Sequence, residues 1–157
     1  MKALSLWQPH AIAIGLGIKR YETRGWQLLP QQIGVPIAIH AAKKEFRERD
    51  YPWEYFTAIR TRLRSEGISL QKLDYGKVIC ICIFTACRRT SELRGKIGDA
   101  EFWGDFRDRG DDGKDRWAFE IGQALLIPAS QRPEITGRQG FFNVPDELGL
   151  WWAKDAG

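Results

Sequence analysis

The chain has 157 residues, 43% hydrophobic, 12% aromatic and 28% charged, with 24 basic and 20 acidic side chains giving a formal net charge of +4. That is enough apolar surface for one core and one domain over residues 1–157, while no run approaches the ~20 apolar residues that cross a bilayer. The opening Met1-Lys2-Ala3-Leu4-Ser5-Leu6-Trp7-Gln8-Pro9 is broken too early by Gln8 and Pro9 for a signal peptide, so a cytoplasmic monomer with no membrane partner is expected. The mild positive excess permits a nucleic-acid partner without requiring one.

Lys2 to Leu6 reads as a short strand. Pro9 suits the first turn of a helix that runs through Ile14 and stops at Gly15 or Gly17. A second strand is expected from Arg20 to Trp26. A third lies within 33–42, with Ile37 and Ile39 on one face and Ala38, His40 and Ala42 on the other. Residues 52–66 read as a helix, since Phe56, Ile59 and Leu63 recur at helical spacing and Gly67 follows. Val78 to Ala86, apolar and β-branched, is the expected central strand. The polar stretch 88–116 reads as an excursion with one short helix and a mobile loop at 109–113. Trp117, Phe119 and Ile121 alternate with Ala118 and Glu120, as in a half-buried strand. Two further strands are expected at 124–127 and 140–144, and Pro145 opens a terminal helix carrying Trp151 and Trp152. Six or seven short strands with two or three helices, not in regular alternation, predict an α+β mixed β-barrel of about six strands with peripheral helices.

Cys80, Cys82 and Cys87 lie in or beside one apolar run, with no CxxC pair and both histidines distant in sequence. They read as reduced core thiols, with no metal site. The segment Gly17-Ile18-Lys19-Arg20-Tyr21-Glu22-Thr23-Arg24 is the one that carries chemistry. In a regular strand Glu22 and Arg24 share a face, and Lys19 joins them only from the turn before it. Two cations would then flank one carboxylate, a set suited to a phosphate or a carbonyl oxygen. Taken alone, the same residues read as a solvated ion pair on a strand edge.

This GxKxxExR pattern follows Ser5-Leu6-Trp7-Gln8-Pro9 and precedes Ile37-Ala38-Ile39-His40-Ala41-Ala42-Lys43. Together they resemble the ASCH domain, a branch of the PUA-like superfamily, and within it the endothelial-overexpressed lipopolysaccharide-associated factor type. The similarity is strongest over the first 45 residues or so. It continues in order through Val78–Ala86, Trp117–Ile121 and the ending Gly137-Arg138-Gln139-Gly140-Phe141-Phe142. The resemblance implies a PUA-like barrel with a cleft whose wall carries Lys19, Glu22 and Arg24, and RNA or a nucleotide as the partner, without a cofactor. One bacterial branch of similar fold hydrolyses N4-acetylcytidine with a lysine, a threonine and a glutamate. Lys19 matches that lysine and Arg24 the arginine after it. Glu22 stands in place of the threonine, and the glutamate aligns only loosely, around Asp99 or Glu101, so the deacylase mechanism does not transfer intact.

In such a cleft Trp7 and Trp26 would stack on bases, Ser5 and Gln8 would bond a base edge, and His40 would touch a base or phosphate. Each has a plainer alternative: the tryptophans as core or barrel-end plugs, His40 as a satisfied core histidine. Arg60, Arg62 and Arg64 read as a solvated helix face, with nucleic-acid contact as the alternative. No Ser-His-Asp or Cys-His spacing, HExxH or P-loop is present. Three functions stay open: binding RNA or a nucleotide, hydrolysing a modified nucleoside with Lys19 and Glu22 as catalytic residues, and acting as a protein–protein adaptor through exposed Trp151 and Trp152. A Glu22 neutralised by both cations is a poor proton carrier, which favours binding. A depressed Lys19 keeps catalysis open.

Overall fold

A run as apolar and as rich in β-branched residues as Val78–Phe84 suits the middle of a sheet, where both faces are covered. In the computed structural model, which describes residues 1–109 and 115–155, this run lies in β4 (Lys77–Arg89), between β3 (Pro36–Ala41) and β5 (Trp117–Leu126). β1 (Lys2–Leu6) runs parallel to β3. β2 (Tyr21–Arg24) and β6 (Phe141–Asn143) are the edges, so the order is β2-β5-β4-β3-β1-β6. The other pairings are antiparallel. The two strands expected at 117–121 and 124–127 are one, β5. A Cβ on Gly122 would sit 2.5 Å from the Thr85 methyl, and glycine lets the strand pass there.

Among the described residues four helices flank the sheet: α1 (His10–Gly15), α2 (Trp53–Ser65), α3 (Thr90–Leu93) and α4 (Gly149–Asp155). The fourth beyond the expected two or three is the single turn α3. The inner face of the sheet packs Leu4, Leu6, Ile37, Ile39, Phe84 and Phe119 against Ile12 and Ile14 of α1 and Ile59 and Leu63 of α2. The outer face packs Ala3, Ala38, Val78 and Ile81 under Phe142, Val144 and Leu148. Each fully buried Leu, Ile or Phe is worth about 1.5–3 kcal/mol of transfer free energy. Cys80 and Cys82 are free and fully buried, Cys87 is half-buried, and burial raises all three thiols above their ordinary range.

The sheet curls into a half-barrel because its ends are drawn together. Arg24 on β2 donates to the Ser5 carbonyl on β1 at 2.9 Å. Trp26, just past β2, packs on Phe119 of β5 and on Phe141 of β6, with ring centroids 5.2 and 5.4 Å away. The candidate site lies at this seam. Elsewhere, Trp152 is half-buried against the outer core, not part of an exposed patch, and the side chain of Trp151 lies outside the described residues. So does the loop expected at 109–113, apart from Arg109. Among the described residues no helix is long and apolar enough to cross a membrane.

Candidate functional site

The site begins with the end of α1. Gly17 adopts φ +75°, a conformation open to glycine without a Cβ penalty. The Gly17 N–H bonds the Ile14 carbonyl and the Ile18 N–H bonds that of Ala13, a Schellman ending. The chain reverses there, and the Lys19 N–H also reaches the Ala13 carbonyl. Lys19 therefore leaves the turn before β2, as the sequence predicts. Its ammonium turns inward, donating to the Trp103 carbonyl and pairing with Glu22 Oε2 at 3.2 Å. Glu22 Oε1 accepts from Arg24 Nε at 2.8 Å.

The cluster is not the solvated edge pair that its residue types alone suggest. Lys19 is 2% exposed and Glu22 7%. Burial lowers the Lys19 pKa, and the Glu22 charge only partly offsets that. For Glu22 burial pushes the pKa up, but Lys19 and Arg24 together outweigh it and hold the carboxyl below its ordinary value. Glu22 is thus a fixed carboxylate bracketed by two cations.

Two adjoining cavities open beside the cluster. The first, about 500 Å³, has Lys19, Glu22 and Thr23 on its floor, with His10, Tyr55 and Trp103 among its walls. The second, about 730 Å³, includes Lys43, Gly137, Arg138 and His40. Ser5, Trp7 and Arg24 line both. Trp7 is 54% exposed, and the Lys44 ammonium sits 3.8 Å from its ring centre. Trp26 lines the second cavity while also closing the barrel seam.

His40 is a buried, satisfied histidine on the cavity wall. Its Nε2 contacts the Ile135 carbonyl at 2.8 Å, which places the proton there. Nδ1 then accepts from the Ser5 hydroxyl at 2.6 Å. Burial lowers its pKa, and the Ile135 carbonyl only partly opposes this. A Cβ on Gly137 would lie 2.5 Å from His40 Cε1 and 2.8 Å from Ser5 Oγ, so only glycine lets the 136–140 loop close over this pair. Gln8 lines neither cavity. Its amide nitrogen bonds the Asp74 carbonyl at 2.9 Å and its amide oxygen accepts the Ile12 N–H at 3.1 Å. Both ends hold α1 in place, which replaces the base-edge role expected from sequence. Neither Asp99 nor Glu101 lines the first cavity; the Glu101 carboxylate accepts the Gly95 N–H instead. Asp105 does line it, but Arg107 and then Arg109 hold its carboxyl far below the ordinary range.

His10, Thr23, Trp103 and Arg138 also line the two cavities, and their residue types and spacing do not mark them. Thr23 lies one residue from Glu22 and would point away from it in a regular strand. Its hydroxyl accepts the Asp105 N–H at 2.9 Å, where the 3-10 segment Gly98–Trp103 folds back. His10 carries no spacing signal, and its position follows only from the direction in which α1 points. On α2, Arg62 pairs with Glu66 at 3.3 Å and Arg64 is exposed, in line with a solvated face.

No family model and no curated protein sequence matches the chain. Among solved structures it is similar in fold to the ASCH protein of Zymomonas mobilis, with a TM-score of 0.57 and 18% identity, covering 98% of this chain and 94% of that one. A tyrosine-to-phenylalanine variant of the same protein gives a TM-score of 0.60 at 17% identity, covering 98% and 96%. A serine-to-alanine variant gives 0.59 at 17%, covering 98% and 94%. The fold is therefore the α+β curled sheet of the ASCH proteins.

Proposed function

We propose that this chain binds a nucleotide or a short single-stranded RNA across the seam of the half-barrel. The observation that carries this reading is the joining of a buried Lys19–Glu22–Arg24 cluster to two contiguous cavities that share the half-exposed Trp7 and the partly exposed Arg24. An aromatic platform beside cations is what a base-bearing anion needs, with stacking worth about 1–3 kcal/mol per base. The ASCH fold and the resemblance of Ser5–Pro9 and Gly17–Arg24 agree with this reading, and we place the chain with the endothelial-overexpressed lipopolysaccharide-associated factor type. We take it to act as a cytoplasmic monomer of one domain. The test is a titration of labelled oligoribonucleotide at two salt concentrations, with wild type against Arg24→Ala. Wild type should bind more weakly as salt rises, and Arg24→Ala more weakly than wild type. Equal binding by both proteins with equal salt slopes would reduce the cluster to a structural ion pair.

A second reading, hydrolysis of an N4-acylated cytidine, is favoured by one observation. The depressed Lys19 and the Thr23 hydroxyl line the same cavity floor, although Glu22 stands where the resembled branch has its threonine. Against it, the carboxylates lining that cavity are both tied to cations: Glu22 to Lys19 and Arg24, Asp105 to Arg107 and Arg109. Neither is free to carry a proton near neutral pH. Release of cytidine from N4-acetylcytidine, abolished by Lys19→Ala in a folded protein, would establish this second reading.

A further inference from the structure

We infer that His10 reads the edge of an uncharged base in the first cavity, and that the attached phosphate lies across Arg24 in the second cavity. This inference rests on the binding reading above and divides the labour between the two cavities.

His10 opens α1 and stands edge-on to Trp103, with ring centroids 6.1 Å apart and planes at 89°. It lines the first cavity. Its Nδ1 is buried without a hydrogen-bond partner among the described residues. A buried polar atom left unpaired costs about 1–3 kcal/mol. Burial, and then the nearby Lys19 charge, lower the His10 pKa to about 4. The ring is neutral at pH 7 and offers one donor and one acceptor.

The groups beside it match. Lys19 has three protons, of which two are used on the Trp103 carbonyl and Glu22, leaving one. Each Glu22 oxygen accepts from one cation and keeps a lone pair. The floor thus presents a donor, an acceptor and an imidazole, while the charges of Lys19 and Glu22 cancel, and Arg116, which also lines the cavity, lies 3.9 Å from the Asp105 carboxylate. A phosphate placed there would meet the Glu22 carboxylate. A heterocycle with carbonyl and N–H groups side by side meets partners, and Trp103, Tyr55 and Phe102 supply apolar walls.

The second cavity has the opposite character. Arg24, Lys43 and Arg138 line it, and no carboxylate does among its described residues. Phosphate is accommodated there without opposing charge. The shared residues Ser5, Trp7 and Arg24 form the ridge that a sugar would cross.

Calorimetric titrations of the full chain test this division. The probes are cytidine, uridine, adenosine and guanosine, their 5′-monophosphates, and inorganic phosphate. The proteins are wild type, His10→Phe, His10→Asn and Arg138→Ala, each checked for folding by circular dichroism. At least one nucleoside should bind wild type with an affinity that salt leaves unchanged. His10→Phe should weaken that nucleoside about tenfold, the loss expected of one hydrogen bond. His10→Asn, which keeps polar atoms, should change the order of preference among the four bases. Arg138→Ala should leave the nucleoside untouched and weaken its monophosphate severalfold. The inference is overturned if both His10 variants bind nucleosides with wild-type affinity and order, if Arg138→Ala weakens nucleoside and nucleotide alike, or if wild type binds RNA but no nucleoside. If wild type binds neither RNA nor any nucleotide, the proposed function itself falls.

Discussion

At the scale of single residues, the site is held by buried charge. Removing one member of a buried ion pair leaves the other uncompensated, at a cost of about 3–5 kcal/mol. Glu22→Gln should therefore be strongly destabilising in urea denaturation. Lys19→Met combined with Glu22→Leu should recover much of the loss, because no lysine is then buried without a partner, and Arg24, which loses its carboxylate, is partly exposed and keeps the Ser5 carbonyl. A double variant as unstable as the sum of the single ones would show that the pair is not coupled. His10 makes a separate prediction about pH. Its folded pKa is lowered from 6.5 to about 4, so between those values the unfolded chain binds more protons and stability falls as pH falls. From pH 7 to pH 5 wild type should lose roughly 2 kcal/mol more than His10→Phe. Urea midpoints at the two pH values measure this, and parallel losses would mean that the ring already titrates normally in the fold.

At the scale of elements, two glycines place the site. Gly17 has open space around its Cβ position but a positive φ. Gly17→Ala should therefore cost about 1–2 kcal/mol through the backbone alone, and it should disturb Lys19 by misdirecting the turn. Gly137→Ala differs, because its Cβ would strike His40 and Ser5. It should lift the 136–140 loop and change nucleotide binding in the second cavity more than it changes nucleoside binding in the first. Thermal melts and the same titrations separate the two effects. The contrast also marks what a sequence can disclose. The Gly17 turn, the central strand and the faces of 37–40 were legible because glycine, β-branching and alternation act locally. The union of 117–121 with 124–127 was not, since it depends on the Thr85 methyl occupying the space where a Cβ on Gly122 would stand. Lys19, Glu22 and Arg24 could be gathered from spacing. The burial of Lys19 and Glu22 could not, because it depends on a segment as distant as Trp103, whose carbonyl takes the Lys19 ammonium from 84 residues away. Gln8, expected at a base edge, holds α1 instead, and His10, for which no role was expected from sequence, lines the cavity, for the same reason: the orientation of α1 decides which one faces it.

At the scale of the whole molecule, the curl of the sheet brings β2 against β1 and β6 and leaves a seam where charge, aromatic rings and empty volume meet. A competing basic surface exists on α2, where Arg60, Arg62 and Arg64 spread around the helix and Arg60 lies over Trp53. The claim that the seam, and not this helix, receives the ligand is tested most directly by two-dimensional NMR of the uniformly 15N-labelled chain titrated with a short single-stranded RNA. The predicted result is a set of saturable amide shifts confined to residues 5–10, 19–24, 103–105 and 136–140, with the 60–64 amides unmoved. Shifts centred on α2, or a spectrum unchanged at saturating RNA, would contradict it.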